Sequence, residues 1–276
     1  MDPIRNPFAP GAGTPPPELA GRGAILESSR IALERVKIGR PPKGQILLGL
    51  RGTGKTVLLN RIETVAEQLG FETSFIEAPE NQPLPQLLYV RLFQVLEKFS
   101  RIEAAKASTY RALRALRGFA SAFKIKIGDV SISVDPELGA ADSGQIETDL
   151  TELFLRVGEA AKQANSAWAL LIDEVQYLSE ADLAALIVAL HRVSQKSLPI
   201  IFFGAGLPQL AALSGEAKSY AERLFDFPTI GPLAPEAARE AIRQPIVSER
   251  QRISDDALDE ILRLTERYPY FLQEWG

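Results

Sequence analysis

The chain of 276 residues is 46% hydrophobic and 24% charged, with a formal net charge of −4 and a pI of about 5.4, which allows one large α/β domain plus a smaller one and excludes a protein that coats nucleic acid over its whole surface. Without cysteine, and with His191 as the single histidine, it can form no disulfide, thiolate metal site, cysteine nucleophile or histidine metal cluster. No apolar run approaches the roughly 20 residues that span a bilayer, and the amino terminus is rich in proline where a signal peptide is apolar, so a protein of the reducing cytoplasm is expected.

Residues 1–18 carry Pro3, Pro7, Pro10, Pro15, Pro16 and Pro17 with Gly11 and Gly13, and this composition predicts an extended arm that cannot form helix. Residues 18–40 place Leu19, Ile25, Leu26, Ile31, Leu33, Val36 and Ile38 at roughly helical spacing and stop at Gly39 and Pro41, the ending a helix requires. Ile46-Leu47-Leu48 then reads as a short buried strand. It leads into Gly49-Leu50-Arg51-Gly52-Thr53-Gly54-Lys55-Thr56, which fits the phosphate-binding pattern G-x-x-x-x-G-K-[ST] without a mismatch. A helical pattern over 57–69 completes the strand, glycine loop and helix that this chemistry needs. Gly49, Gly52 and Gly54 let backbone N–H groups turn inward as an anion nest, reinforced by the positive end of the following helix. Lys55 is placed to reach the β- and γ-phosphates of a nucleoside triphosphate, and the Thr56 hydroxyl to hold Mg²⁺. The expected nucleotide-binding set is therefore Gly49, Arg51, Gly52, Thr53, Gly54, Lys55, Thr56 and Val57.

After Gly70, residues 71–76 read as a second strand, making strand, helix, strand one right-handed βαβ unit. Amphipathic helices are predicted over 83–99 and 102–119, with Arg111, Arg114 and Arg117 sharing one face of the second. Residues 123–134 alternate apolar and polar side chains around Gly128-Asp129, a hairpin signal. Helix and hairpin together read as an insertion at about 100–140. Within it Arg101, Lys106, Arg111, Arg114, Arg117, Lys124 and Lys126 face a single acid, Glu103, and this basic island is the local candidate for contact with DNA phosphates. A polar stretch over 136–144 leads into a helix over 145–165.

Trp168-Ala169-Leu170-Leu171-Ile172-Asp173-Glu174 is an apolar strand ending in two acids. In P-loop proteins such a strand lies beside the first one, so Asp173 is assigned to Mg²⁺, directly or through water, and Glu174 to polarising the water that attacks the γ-phosphate. The adjacency of the two acids favours hydrolysis over transfer to a second substrate. Ser179 is a helix N-cap with Asp182 placed to reach back, and that helix runs to about 195, carrying His191 in a structural role. A fourth strand over 198–203 ends in Gly204-Ala205-Gly206-Leu207-Pro208, a short helix carries Tyr220-Ala221-Glu222-Arg223-Leu224, and 225–230 is a fifth strand. The fold class is α/β: a P-loop NTPase of three α/β/α layers around a five-stranded parallel sheet, occupying residues 19–231. Beyond Gly231-Pro232 only helices follow, over 236–249, over 254–267 with Ser254 as N-cap, and from Pro269 onward, forming a small lid over 232–276. Because the third helix begins where the chain stops, the lid is expected to be incomplete, with a further C-terminal domain beyond it.

From about Pro16 to Gly276 these residues resemble the AAA+ ATPases, most closely the bacterial and archaeal branch near the origin-recognition initiators and the STAND signalling ATPases. The carriers are Gly49 to Thr56 as Walker A and Leu170 to Glu174 as Walker B. The resemblance implies ATP or ADP with Mg²⁺ as ligands, adenine contacts from Gly21 and Arg22 of Leu19-Ala20-Gly21-Arg22, and a contact near the base from Pro269 of Tyr268-Pro269-Tyr270. Arg267 stands where STAND relatives carry glycine and is a candidate for the family's sensor 2. Gly204 to Pro208 falls at the sensor 1 position, where relatives place a polar residue and this chain has Gly and Ala. Arg223 falls where relatives carry an arginine finger that completes a neighbour's site, implying a homo-oligomer; the alternative is local pairing with Glu222 or Asp226. Three functions follow: a slow Mg²⁺-dependent ATPase switch controlling assembly, a DNA-binding initiator or transposition helper, and a signalling scaffold that holds ADP tightly.

Overall fold

In the computed structural model, strands β1 (Gly44–Leu48), β3 (Ala167–Asp173) and β4 (Ile200–Gly206) are buried along their whole length, because apolar side chains point to both faces of the sheet. The structure describes residues 6–8, 11, 19–125, 135–217, 219 and 221–276, with side chains of 216 and 217 left aside. Along β3, Trp168, Leu170 and Ile172 enter one core and Ala167, Ala169 and Leu171 the other, the two-sided burial of a parallel sheet covered by helices. The first core lies under α3 (Leu84–Ser100), α4 (Lys106–Ala122), α5 (Ile146–Gln163) and α6 (Glu180–Gln195), which pack side by side in that order. The second lies under α1 (Gly23–Lys37) and α2 (Lys55–Gln68). Trp168 is fully buried, and it stays satisfied there because its indole N–H donates to Ser74 Oγ at 3.0 Å while the Phe154 ring meets it edge-on at 5.3 Å.

The strand order is β2-β3-β4-β1-β5, with β2 at Phe71–Glu77 and β5 at Phe225–Asp226. One expectation is corrected here. β3 does not lie beside β1, because β4 separates them, and β2 lies beyond β3 at the edge of the sheet. All the strand pairs are parallel, so the carboxyl ends of β1, β3 and β4 still meet at one edge of the sheet. The fifth strand is shorter than the sequence suggests: Pro228 has no N–H to give, so the ladder stops at Asp226 and only a single bridge, Thr229 with Leu48, follows.

Ser179 caps α6 by accepting the Asp182 N–H at 3.1 Å, and Asp182 returns a contact by accepting the Ser179 hydroxyl at 2.9 Å. The same carboxylate accepts the Leu84 N–H at 3.3 Å, so it holds the start of α3 as well. A helix over Leu210–Ala217, α7, was not expected, and it precedes the short α8 (Ala221–Leu224). Residues 232–276, expected from the sequence as the lid and named accordingly, form α9 (Pro235–Ser248), α10 (Asp255–Leu264), capped by Ser254 through the Ala257 N–H at 3.3 Å, and α11 (Pro269–Trp275). Phe8, from the proline-rich arm, is buried in the lid core with Ala20, Ile242, Leu258 and Leu272. The hairpin expected over 123–134 falls largely outside the described residues, as does Lys126. Among the described residues no helix is long and apolar enough to cross a membrane.

Candidate nucleotide site

The glycine loop leaves β1 and turns into α2 at Gly54, the helix N-cap, whose φ of 88° is open to glycine at little cost. Gly49 is required for a different reason: a Cβ there would lie 2.2 Å from the Ile230 carbonyl oxygen and 2.8 Å from Thr53 Oγ1. The first helical hydrogen bond of α2 is the Leu58 N–H on the Gly54 carbonyl at 3.0 Å. The N–H groups of Lys55, Thr56 and Val57 therefore point forward without a helical acceptor, the arrangement that receives phosphate oxygens.

Lys55 is buried, and its ammonium donates to the Leu50 carbonyl at 3.0 Å. Burial pulls its pKa below the ordinary lysine value, against the opposing pull of the Glu174 and Asp173 carboxylates. Asp173 is 2% exposed. Its Oδ2 accepts the Thr56 hydroxyl at 2.6 Å and its Oδ1 the Glu174 N–H at 2.8 Å. Burial raises the Asp173 pKa from the ordinary aspartate value, and these two hydrogen bonds work the other way. A hydroxyl and a carboxylate side by side are hard oxygen donors. Two such protein ligands, with phosphate and water supplying the rest, fit Mg²⁺, and among the described residues no cluster of three or more His, Cys, Asp or Glu forms an all-protein metal cage.

Glu174 follows Asp173 in the left-handed region, at φ 54° and ψ 40°, which turns its side chain away from the line of β3. The Gln176 amide donates to Glu174 Oε2, and Gln176 Oε1 accepts the Leu207 N–H at 3.2 Å. Sequence reasoning missed Gln176; the signal available was a lone amide two residues after the acid pair. At the end of β4, Gly204, Ala205 and Gly206 bring no polar side chain, and the Gly206 carbonyl accepts the Gly49 N–H at 3.1 Å.

The lid reaches the loop from the other side. The Tyr268 hydroxyl donates to the Arg51 carbonyl at 2.7 Å, and the Tyr270 N–H to the Gly52 carbonyl at 3.2 Å. Pro269 is the first residue of α11, between these two contacts. Arg51 extends to the Tyr177 hydroxyl at 2.8 Å. The Arg22 guanidinium donates to the carbonyls of Thr53 and Gly231, tying the loop to the start of the lid, and Gly21 lies against Ala237 of α9.

Arg223 is elsewhere. Phe225 pairs with Gly44 at the start of β1, so Arg223 lies at the end of the sheet opposite the glycine loop, exposed. Among the described residues neither Glu222 nor Asp226 forms an ion pair with it, and Asp226 instead meets Lys43 at 3.3 Å. In the basic island Arg101 pairs with Glu97 at 3.6 Å and Lys106 with Glu103. Arg114 donates to the Asp135 carbonyl at 3.1 Å, Arg117 is half-buried, and Arg111 is exposed.

Three solved structures share the fold. AMPPCP-bound DnaA from Aquifex aeolicus is 14% identical with a TM-score of 0.50, covering 91% of this chain and 59% of that one. A replication initiator DnaA bound to AMPPCP and single-stranded DNA is 14% identical with a TM-score of 0.51, covering 92% and 60%. A Thermotoga maritima RuvB variant is 14% identical with a TM-score of 0.50, covering 93% and 61%. The chain thus spans about three fifths of the length of these neighbours. No curated protein sequence matches it significantly. The profile of the AAA ATPase domain matches residues 18–203, two thirds of the chain and both the loop and the acid pair, and the protein belongs to that family of ATPases.

Proposed function

We propose that this chain is an Mg²⁺-dependent ATPase acting as a nucleotide-controlled switch in an assembly of its own copies. The observation that carries the reading is the 2.6 Å contact between Thr56 and Asp173, made across the sheet edge with Glu174 next in sequence. The α2 N–H groups and Lys55 hold the β- and γ-phosphates, which are stronger acceptors than the Leu50 carbonyl the lysine now uses. Thr56 and Asp173 hold the metal, which when bound neutralises phosphate charge in the transition state. Glu174 orients the attacking water and takes its proton as the new bond to the γ-phosphorus forms and the bond to the ADP oxygen breaks. Arg223, remote from its own loop, serves the site of a neighbouring copy.

A second reading, a scaffold that retains nucleotide with little turnover, draws support from the two lid contacts on the loop carbonyls of Arg51 and Gly52. The deciding measurement is the hydrolysis rate per molecule over a hundredfold range of protein concentration, with Arg223→Ala alongside. The switch reading expects specific activity to climb with concentration and the variant to stay flat, at least about tenfold lower, since a finger of this kind supplies about 10³ to 10⁵ in rate. A low, constant rate indifferent to Arg223 gives the scaffold.

A further inference from the structure

Between the acid pair and the tip of β4 the structure places one side chain with two engaged ends. Gln176 lies in the three-ten turn Val175–Tyr177, donates through Nε2 to the Glu174 carboxylate and accepts the Leu207 N–H through Oε1 at 3.2 Å. The two partners fix which way the amide faces, because a carboxylate can only accept and a backbone N–H can only donate. Room for it depends on Gly206, where a Cβ would lie 2.7 Å from Gln176 Oε1. The bare Gly-Ala-Gly end of β4 and the glutamine beside it are thus one arrangement: the strand gives up a polar side chain and gains a bound amide.

We infer that Gln176 is the positioning residue for hydrolysis, clipping Glu174 in its working orientation and joining it to the end of β4. The connection continues to the phosphate loop. The Gly206 carbonyl accepts the Gly49 N–H at 3.1 Å, and Leu207 is the next residue, so a shift of the loop around phosphate reaches Glu174 through β4 and one amide. A freely rotating carboxylate on a residue held at φ 54° would lose that alignment. Misplacement of a reacting group by about 1 Å costs on the order of a hundredfold in rate. The inference rests on the hydrolytic reading, and its test has a readout independent of turnover.

The experiment compares Gln176→Leu, Gln176→Glu and Gly206→Ala in the full chain by steady-state ATP hydrolysis, by fluorescent-nucleotide affinity and by hydrogen exchange at the Leu207 amide. Gln176→Leu is expected to lower kcat about 10- to 100-fold with nucleotide affinity within about twofold, and to speed Leu207 exchange. Gln176→Glu keeps an acceptor for Leu207 but has no donor for Glu174, so protection stays while kcat falls. Gly206→Ala, which keeps the glutamine in the chain but takes the room its amide occupies, shifts kcat and exchange in the same direction as Gln176→Leu. Unchanged kcat in Gln176→Leu, or equal losses of kcat and affinity in all three variants, overturns the inference. A wild type that binds ATP without hydrolysing it overturns the functional reading instead, and the clip is then decided by exchange alone: equal Leu207 exchange in wild type and Gln176→Leu removes it.

Discussion

The sheet domain and the lid both touch the phosphate loop, and they are built differently. Under the loop, β1, β3 and β4 are buried throughout and carry Trp168, Phe203, Leu47 and Leu171 with essentially no exposure. The lid core is smaller, holding Phe8, Leu233, Ile242, Ile246, Leu258, Leu262 and Leu272 with a few alanines, and the lid leaves Val247, Tyr270, Phe271 and Trp275 exposed. A smaller core buries less apolar area, so the lid is the part with less to lose on opening. The groups assigned to chemistry stand on the rigid part, and the lid contributes two hydrogen bonds to loop carbonyls from α11 and its N-cap. Rigid support for reacting groups and a weaker closing element is the division a nucleotide switch requires. Breaking groups on the sheet should therefore abolish function, and breaking groups on the lid should tune it.

The largest effect is expected from Lys55→Met, which keeps the buried stem and removes the charge. At nucleotide about one hundred times its Kd, binding stabilises a protein by roughly 2.7 kcal/mol, or roughly 5–10 °C in Tm for a chain of this size. The wild type should show that rise by calorimetry and the variant none. The nucleotide-free comparison runs the other way. Burial lowers the Lys55 pKa in the folded state, so the unfolded chain binds the proton more strongly. The penalty is complete below the folded pKa and fades as pH rises toward the ordinary lysine value of about 10.4. At neutral pH the empty variant should therefore melt no lower than the empty wild type, and a clear drop would show that the charge is stabilising.

Glu174→Gln should come next. It keeps the shape of the side chain and removes its ability to take a proton, so binding survives with the same Tm rise while single-turnover hydrolysis falls about 10² to 10⁴-fold. Normal turnover in this variant removes Glu174 from its assigned role and shifts the search for a water activator to other groups at the sheet edge.

The same division governs what the sequence reveals. Gly49 to Thr56, the acid pair and the caps Ser179 and Ser254 are local signals: the loop opens α2, the acids end β3, and the two serines cap α6 and α10, as their neighbours within a few residues predict. Strand order is not local. Nothing in residues 167–173 says that β4, formed later, will enter between β3 and β1. The need for glycine at 49 comes from Ile230, and the contacts of Arg22 with Gly231 and of Tyr268 with Arg51 exist only once the lid has folded back. Gln176 lies between these cases: its distance from Glu174 is readable, and its second partner, Leu207, is not.

The smallest effect tests the lid side of the comparison. Tyr268→Phe removes one hydroxyl and its 2.7 Å bond to the Arg51 carbonyl while leaving the ring against Phe271. One such hydrogen bond is worth about 0.5–1.5 kcal/mol net, or about 2- to 10-fold in a rate or equilibrium. The anion nest presents N–H groups to phosphate, so a contact made to a loop carbonyl is compatible with bound nucleotide and helps keep the lid shut over it. Release of a fluorescent ADP analogue, followed by stopped flow, should accordingly speed up 2- to 10-fold, with the association rate unchanged. Slower release would mean that the tyrosine competes with nucleotide for the loop, and the lid would then be a brake on binding rather than a cover for the bound state.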